Sequence, residues 1–308
     1  MRKIFDVHTH VWPDKIAAAV LVHLQEKSAH LPVYTDGTYD GLKAKAEAAG
    51  YTAWMNLPVV TRPGQAHSLN EKVAVRNHWP TLSMGGVHPD DEDVVGELHH
   101  VKDLGLFGLK MHPEYQEFNP LEERMEKIWS FCETEGMPVL IHAGNDVGFK
   151  PPYHSRPADF AEVVRRHPAL TLICAHMGGW LNWGEMERDL AGRPVYIDSS
   201  FSAMYMKDEP GKFERLIRLH GVDRVVFGTD SPWQALTSGI ADIEGLTLSE
   251  EDKDKIFWKN ADRIFGLSRL EPKGCGQVEW RKRLKGHKGL KRQAVGRFMA
   301  HGFESKIL

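Results

Sequence analysis

The chain has 308 residues, of which 42% are hydrophobic and 26% are charged, so it is long enough to bury a sizeable core. Its apolar runs fall short of the ~20 residues of a membrane span, and its first residues lack the apolar segment of a secretory leader. The net charge is −3, but residues 271–308 hold ten lysines or arginines against three glutamates, so this end carries +7 and the rest −10.

Eight short apolar runs alternate with amphipathic stretches along the first 270 residues. The predicted strands are 4–10, 51–59, 81–88, 107–112, 138–142, 170–176, 195–199 and 225–230. The predicted helices are 39–49, 69–79, 91–104, 121–135, 157–167, 181–190, 211–220 and 250–265, with an extra helix at 15–26. Eight strand–helix pairs predict an α/β fold, a TIM-type (β/α)8 barrel. An open doubly wound sheet is the rival, but no glycine-rich phosphate turn follows any strand.

The first strand ends in Asp6-Val7-His8-Thr9-His10. Side chains two residues apart share a face, so His8 and His10 are predicted to point into the barrel mouth, with Val7 on the other face. Two imidazoles at one rim can bind the same cation at about 2.0–2.1 Å. This strand therefore predicts one half of a metal site.

Three later strands also end in one ionisable residue before a loop. They are VLIHAG with His142, CAHMGG with His176, and FGTDSPW with Asp230. The carboxyl ends of the strands meet at one face of a barrel, so these side chains converge with His8 and His10. Imidazoles and a carboxylate suit zinc first, with manganese or iron as alternatives, and one or two ions.

These strand ends, together with GLKMHPEYQ (108–116) and KNADRIFGL (259–267), resemble the amidohydrolase superfamily. They are most similar to its amidohydrolase-related branch, which contains hydrolases and decarboxylases. The resemblance spans residues 1–270 and implies that His8, His10, His142 and Asp230 are metal ligands. It implies that His176 is either a ligand of a second metal or a catalytic histidine. Asp230 would move the proton of a metal-activated water.

Lys110 lies at the end of the fourth strand, where several branches of the superfamily carry a bridging ligand. That ligand is a glutamate or a lysine carboxylated by carbon dioxide, and a lysine here counts against a TatD-like nuclease. Lys110 is therefore predicted either as a carbamate metal ligand or as an ammonium that binds a substrate carboxylate. His112 shares its face and is predicted on the substrate side.

Two further residues are predicted to contact substrate. They are His88, which ends the third strand, and Arg156, in the loop 145–156 after the fifth strand. Cys174 stands two residues before His176 and is predicted to face inward as a small core residue. The three cysteines are far apart and outside any CxxC pattern, which argues against disulfides and favours a cytoplasmic protein.

The alternation of strands and helices stops near Leu270, so we expect a barrel domain at 1–270 and a basic C-terminal extension at 271–308. The cations of the extension could bind phosphates, but three aromatic residues are too few for a stacking surface. A nucleic-acid partner is therefore disfavoured, and no membrane partner is expected. Related barrels commonly form dimers or larger assemblies, which leaves a homo-oligomer open.

The leading hypothesis is a metal-dependent hydrolase, in which activated water attacks an amide- or lactone-type carbonyl of a small molecule. The alternative keeps the same centre and removes a carboxylate, without oxidation, from an unsaturated or aromatic acid. There, Lys110 or Arg156 would anchor the substrate's carboxylate. A nucleic-acid-associated protein recruited by the basic extension is the second alternative.

Overall fold

The computed structural model describes residues 2–272, so the predicted basic extension lies outside the described residues from 273 onward. The strands are β1 (Phe5–Thr9), β2 (Ala53–Asn56), β3 (Thr81–Ser83), β4 (Leu109–Met111), β5 (Val139–Ile141), β6 (Leu172–Cys174), β7 (Tyr196–Asp198) and β8 (Val225–Val226). All eight predicted strands are confirmed, each shorter than its predicted range.

Helices follow the strands, and most of them cover the outside of the barrel. They are α1 (Asp14–Lys27), α2 (Tyr39–Ala48), α3 (Ala66–Ala74), α4 (Val94–Asp103), α5 (Pro113–Gln116), α6 (Glu126–Thr134), α7 (Pro157–Arg166), α8 (Trp183–Glu185), α9 (Lys212–His220), α10 (Leu236–Glu244), α11 (Glu250–Asp254) and α12 (Asn260–Phe265). Met186–Leu190 and Lys255–Lys259 are π-helical turns. No helix among residues 2–272 is long and apolar enough to cross a membrane.

The strands close into a barrel because two parallel sheets join at both edges. One sheet has the order β1-β2-β3 and the other β4-β5-β6-β7-β8. Between β3 and β4, Gly85 N–H donates to Gly108 O at 2.9 Å and Lys110 N–H to Gly85 O at 2.8 Å. Between β8 and β1, Val7 N–H donates to Phe227 O at 2.9 Å. The fold is therefore the predicted (β/α)8 barrel.

The barrel lumen holds a cluster of apolar side chains from six strands and from helix α12. They are Phe5, Val7, Ala53, Met55, Leu82, Leu140, Ile173 and Val226 of the strands, with Ala261 and Phe265 of α12. Phe5 contacts Phe265 with ring centroids 6.1 Å apart, so helix α12 packs against the amino end of β1. A larger cluster lies between the barrel and its helices. The carboxyl ends of the strands are left to polar residues.

A β-bulge in β1 breaks the alternation that the sequence predicts. Asp6 pairs with Trp54 and Thr9 with Asn56, so two β1 residues stand opposite one residue of β2. Val7 joins the lumen cluster instead of facing away from His8, and the prediction for Val7 is wrong. The Asp6 carboxylate accepts the His8 N–H at 2.9 Å, which satisfies the backbone at the bulge.

The prediction that Cys174 faces inward is also wrong. Cys174 is buried between the barrel and the helices, whereas its neighbours Ile173 and Ala175 belong to the lumen cluster. Strand β6 ends at Cys174, and His176 has a left-handed backbone with φ of 57°. A turn of the backbone, not strand alternation, therefore brings His176 into the mouth.

Candidate metal centre

Three of the predicted ligands meet where β1 and β8 end. His8 Nε2, His10 Nε2 and Asp230 Oδ1 lie 3.2 Å from one another. Ligands that share one ion at about 2.1 Å stand about 3.0–3.4 Å apart. The three atoms therefore have the mutual spacing of ligands to a single divalent cation.

Hydrogen bonds at the outer ring nitrogens orient both imidazoles. His8 Nδ1–H donates to Asp198 Oδ2 at 2.8 Å, and His10 Nδ1–H donates to Leu57 O at 2.7 Å. Both Nε2 atoms consequently direct lone pairs at each other and at a carboxylate oxygen. Burial also lowers the pKa of His8 well below its ordinary value, so the ring is neutral as a ligand must be. Lone pairs at this spacing repel unless a cation lies between them, so the residues fit a metal ion.

Asp230 follows β8 in a left-handed backbone conformation, with φ of 61°. Such a conformation is strained for a non-glycine residue. The Asp230 N–H donates to His8 O at 2.8 Å, which holds this turn against β1. The carboxylate is thereby directed at the two imidazoles.

A second group lies beside the first at the ends of β4 and β5. His112 Nε2 is 3.3 Å from Asp146 Oδ2, and the rings of His112 and His142 stack with centroids 4.2 Å apart. His142 Nε2–H donates to Asn145 O at 2.9 Å. Burial lowers the pKa of His112 to about 3. The structure thus brings His142 together with His112, and its role as a ligand beside His8 and His10 stays a prediction.

Asp198 links His8 to His176 from beneath. It ends β7 fully buried, and its Oδ1 accepts the backbone N–H of His176 at 2.9 Å and the Ser200 hydroxyl at 2.5 Å. The Ser200 oxygen accepts His176 Nδ1–H at 2.9 Å. This network fixes the tautomers of both histidines and leaves the Nε2 of each with its lone pair.

Asp198, Ser200 and Asp146 belong to the site but were not predicted from the sequence. The strand end YIDSS, with Asp198 closing an apolar run, shows the same pattern that identified His142 and Asp230 and could have revealed it. Asp146 has no such pattern, because it lies in the loop after β5 and reaches His112 only through the fold.

Lys110 points into the mouth of the barrel. Its side chain is 1% exposed, and its Nζ lies 3.3 Å from His8 Nε2. Burial lowers the pKa of Lys110 to about 8, although three nearby carboxylates act to raise it. Among residues 2–272, Lys110 forms no ion pair with a carboxylate. A buried ammonium without such a partner is a place for an external anion.

The remaining predicted site residues lie apart from these groups. His88 is buried, and its Nδ1 accepts the Asp90 N–H at 3.2 Å. Arg156 is 57% exposed, and its guanidinium pairs with Glu185 at 2.9 Å. Glu114, which the sequence analysis did not single out, accepts the His154 N–H at 2.7 Å and so anchors the loop 145–156.

Comparison with known proteins gives one family. A family model described as Amidohydrolase matches residues 5–267. A gamma-resorcylate decarboxylase from Polaromonas sp. is 25% identical over an alignment 222 positions long, which covers 58% of this chain and 68% of that protein.

Solved structures confirm the barrel. A TIM-barrel protein from Bordetella bronchiseptica has a TM-score of 0.65 at 18% identity, covering 87% of this chain and 99% of that one. A dihydroxybenzoic acid decarboxylase from Polaromonas sp., solved with bound manganese and the inhibitor 2-nitroresorcinol, has a TM-score of 0.64 at 17% identity. It covers 88% of this chain and 99% of that one. At these identities the likeness extends to the fold alone.

Proposed function

Because the chain belongs to the amidohydrolase family, we propose that this enzyme removes a carboxylate, without oxidation, from a small aromatic or unsaturated acid. The gamma-resorcylate decarboxylase and the manganese-containing decarboxylase support this alternative better than the hydrolase hypothesis that the sequence analysis put first. Hydrolysis of an amide or lactone becomes the competing outcome of the test.

His8, His10 and Asp230 would hold the metal. The family resemblance implies His142 as a further ligand, and His176 as either a ligand of a second metal or the catalytic histidine. Zinc, manganese and iron all suit imidazole and carboxylate ligands. A divalent ion bound there supplies a positive charge that stabilises negative charge developing on substrate oxygens.

The observation that carries the proposal is the buried ammonium of Lys110, which lies 3.3 Å from His8 Nε2 and forms no ion pair with a carboxylate among residues 2–272. Arg156, the other candidate anchor, is at the surface and already paired with Glu185. Lys110 therefore binds an anionic oxygen of the substrate and orients the acid toward His8 and Asp230.

The bond change needs one proton. The bond between the carboxylate and its carbon breaks, the electron pair stays on that carbon, and a proton takes the place of the departing carbon dioxide. The proton comes from solvent water, and Asp230 is placed to take it up and pass it to the carbon, because Oδ1 faces the two imidazoles and Oδ2 makes no hydrogen bond within residues 2–272.

Aromatic rings stand next to these polar groups. Tyr115 meets the His112 ring edge-on with centroids 4.6 Å apart and meets Phe149 at 4.9 Å. Trp12 stacks on His10 at 6.3 Å. Rings of this kind favour a flat, unsaturated substrate over an aliphatic one.

The test incubates the metal-loaded enzyme with a panel of mono- and dihydroxybenzoates in D2O. We expect release of carbon dioxide and one deuterium on the carbon that carried the carboxylate. Amides and lactones are incubated in parallel in 18O-labelled water. Incorporation of 18O into their products, with no carbon dioxide released from the hydroxybenzoates, would indicate a hydrolase and overturn the proposal.

A variant series tests the anchor. Lys110→Met should lower kcat/KM about 10- to 100-fold, since a hydrogen bond to a charged group contributes about 1.5–3 kcal/mol. Lys43→Met changes an exposed lysine of α2 and is the matched control. If Arg156→Met lowers kcat/KM more than Lys110→Met does, Arg156 and not Lys110 anchors the substrate.

A further inference from the structure

Two helices on the outer wall of the barrel bring four metal-binding side chains together, away from the centre at the strand ends. Helix α3 carries His67 and Glu71, and helix α4 carries Glu97 and His100. Residues three or four apart share one face of a helix, and α3 packs against α4, so the two pairs meet. We propose that these four residues form a zinc site, which we call the α3–α4 site.

The donor atoms are close enough to share one ion. One ligand atom each from His67, Glu71 and His100 lies within 4.8 Å of the other two. The two imidazole rings stack with centroids 4.0 Å apart, and His67 Nε2 is 3.9 Å from Glu71 Oε1. Zinc ligands stand about 3.4 Å apart. His67 and Glu71 are 57% and 59% exposed, so their side chains are free to close the remaining distance.

Glu97 prepares His67 as a ligand. His67 Nδ1 lies 3.3 Å from Glu97 Oε1, which favours the proton on Nδ1 and the lone pair on Nε2, the nitrogen nearer Glu71. A carboxylate behind a histidine is the usual support of a zinc ligand.

Two atoms of the site are buried without a partner. His100 Nε2 and Glu97 Oε2 have no hydrogen bond among residues 2–272, although neither is open to solvent. Buried polar atoms are rarely left unpaired. A cation between the helices supplies the interaction that His100 Nε2 lacks, and its charge offsets that of the nearby Glu97 carboxylate.

The donor set selects the class of ion. Two neutral imidazoles and two carboxylates balance a double positive charge, and nitrogen donors suit zinc, whereas calcium and magnesium prefer oxygen alone. A zinc ion here fastens α3 to α4 and stabilises the folded chain, because the unfolded chain does not hold the four residues together.

The experiment counts zinc in the full-length protein after incubation with excess zinc and gel filtration. His67→Gln and His100→Gln should each retain one zinc fewer per chain than the wild type. Zinc should also raise the melting temperature of the wild type more than that of either variant. His99→Gln changes the neighbouring residue on α4, whose ring contacts Phe131 instead, and should keep the full zinc count.

His10→Ala separates the two sites, because it removes a ligand of the strand-end centre and leaves the α3–α4 site intact. The double variant His10→Ala/His67→Gln should therefore bind one zinc fewer per chain than His10→Ala alone. An equal zinc count in the wild type and in His67→Gln would overturn the proposal. So would an equal loss in His99→Gln. His67 is exposed, so its substitution should not unfold the protein. Melting temperatures measured in chelator show whether any variant loses zinc only because it is unfolded.

Discussion

Asp198→Asn tests whether the network beneath the centre prepares His8 for metal binding. The substitution keeps the shape of the side chain but replaces one accepting oxygen with an NH2 group. In the native protein, Asp198 Oδ2 accepts His8 Nδ1–H at 2.8 Å, while Oδ1 accepts the His176 N–H at 2.9 Å and the Ser200 hydroxyl. Asparagine cannot accept at both positions, so either His8 or the His176–Ser200 turn loses its partner.

The size of the effect follows from the bonds that are lost. A hydrogen bond to a charged group contributes about 1.5–3 kcal/mol, which corresponds to about 10- to 150-fold in an equilibrium constant. Loss of a residue that supports a metal ligand typically lowers metal affinity about 10- to 100-fold. We therefore expect the metal affinity of Asp198→Asn to fall 10- to 100-fold, with a smaller change in kcat at saturating metal.

The assay titrates the metal-free protein with zinc or manganese against a chelator of known affinity. Ser199→Ala is the control, because its hydroxyl donates to Gly228 O and does not contact His8. The His67→Gln background removes the α3–α4 site from the titration. Unchanged metal affinity in Asp198→Asn, with the fold intact, would refute the role given to Asp198.

Two further predictions concern stability. Burial lowers the pKa of His220 to about 4, and its Nε2–H donates to Val195 O at 2.8 Å. Neutral His220 contributes its full share to the free energy of unfolding above about pH 6.5, and about 3 kcal/mol of this is lost as the pH falls to about 4. In His220→Gln, urea titrations should show a smaller decrease in the free energy of unfolding over this pH range. Gly144 has φ of 93°, and an added Cβ would lie 2.2 Å from Trp180 N, so Gly144→Ala should cost more than 2 kcal/mol. Gly136→Ala, at φ of 60° in open space, should cost only about 1 kcal/mol; equal costs would contradict the close approach.

The sequence predicts the barrel well because each strand is an apolar run between turn residues. It does not predict helix α10 (Leu236–Glu244), whose segment LTSGIADIE contains a glycine and two β-branched isoleucines and resembles a loop as much as a helix. It also misplaces Cys174, because alternation holds only while a strand continues and β6 ends at that residue.

The site residues likewise fall into those that the sequence predicts and those that it does not. His8, His10 and Asp230 could be predicted, because each lies at or just beyond the carboxyl end of an apolar run that must end at the barrel mouth. The β-bulge at Val7 and the left-handed turns at His176 and Asp230 depend on tertiary hydrogen bonds, which one sequence does not reveal. The spacing of residues in the sequence therefore predicts which side chains lie at the site, whereas their hydrogen-bond partners depend on the folded backbone.

Metal dependence of carbon dioxide release tests the central claim most directly. The measurement follows carbon dioxide from a hydroxybenzoate in the chelator-treated wild type, before and after zinc or manganese is restored, beside His10→Ala. We predict that release stops on metal removal, returns in the wild type, and does not return in His10→Ala. Release that continues in metal-free protein, or returns fully in His10→Ala, would contradict a decarboxylase built on His8, His10 and Asp230.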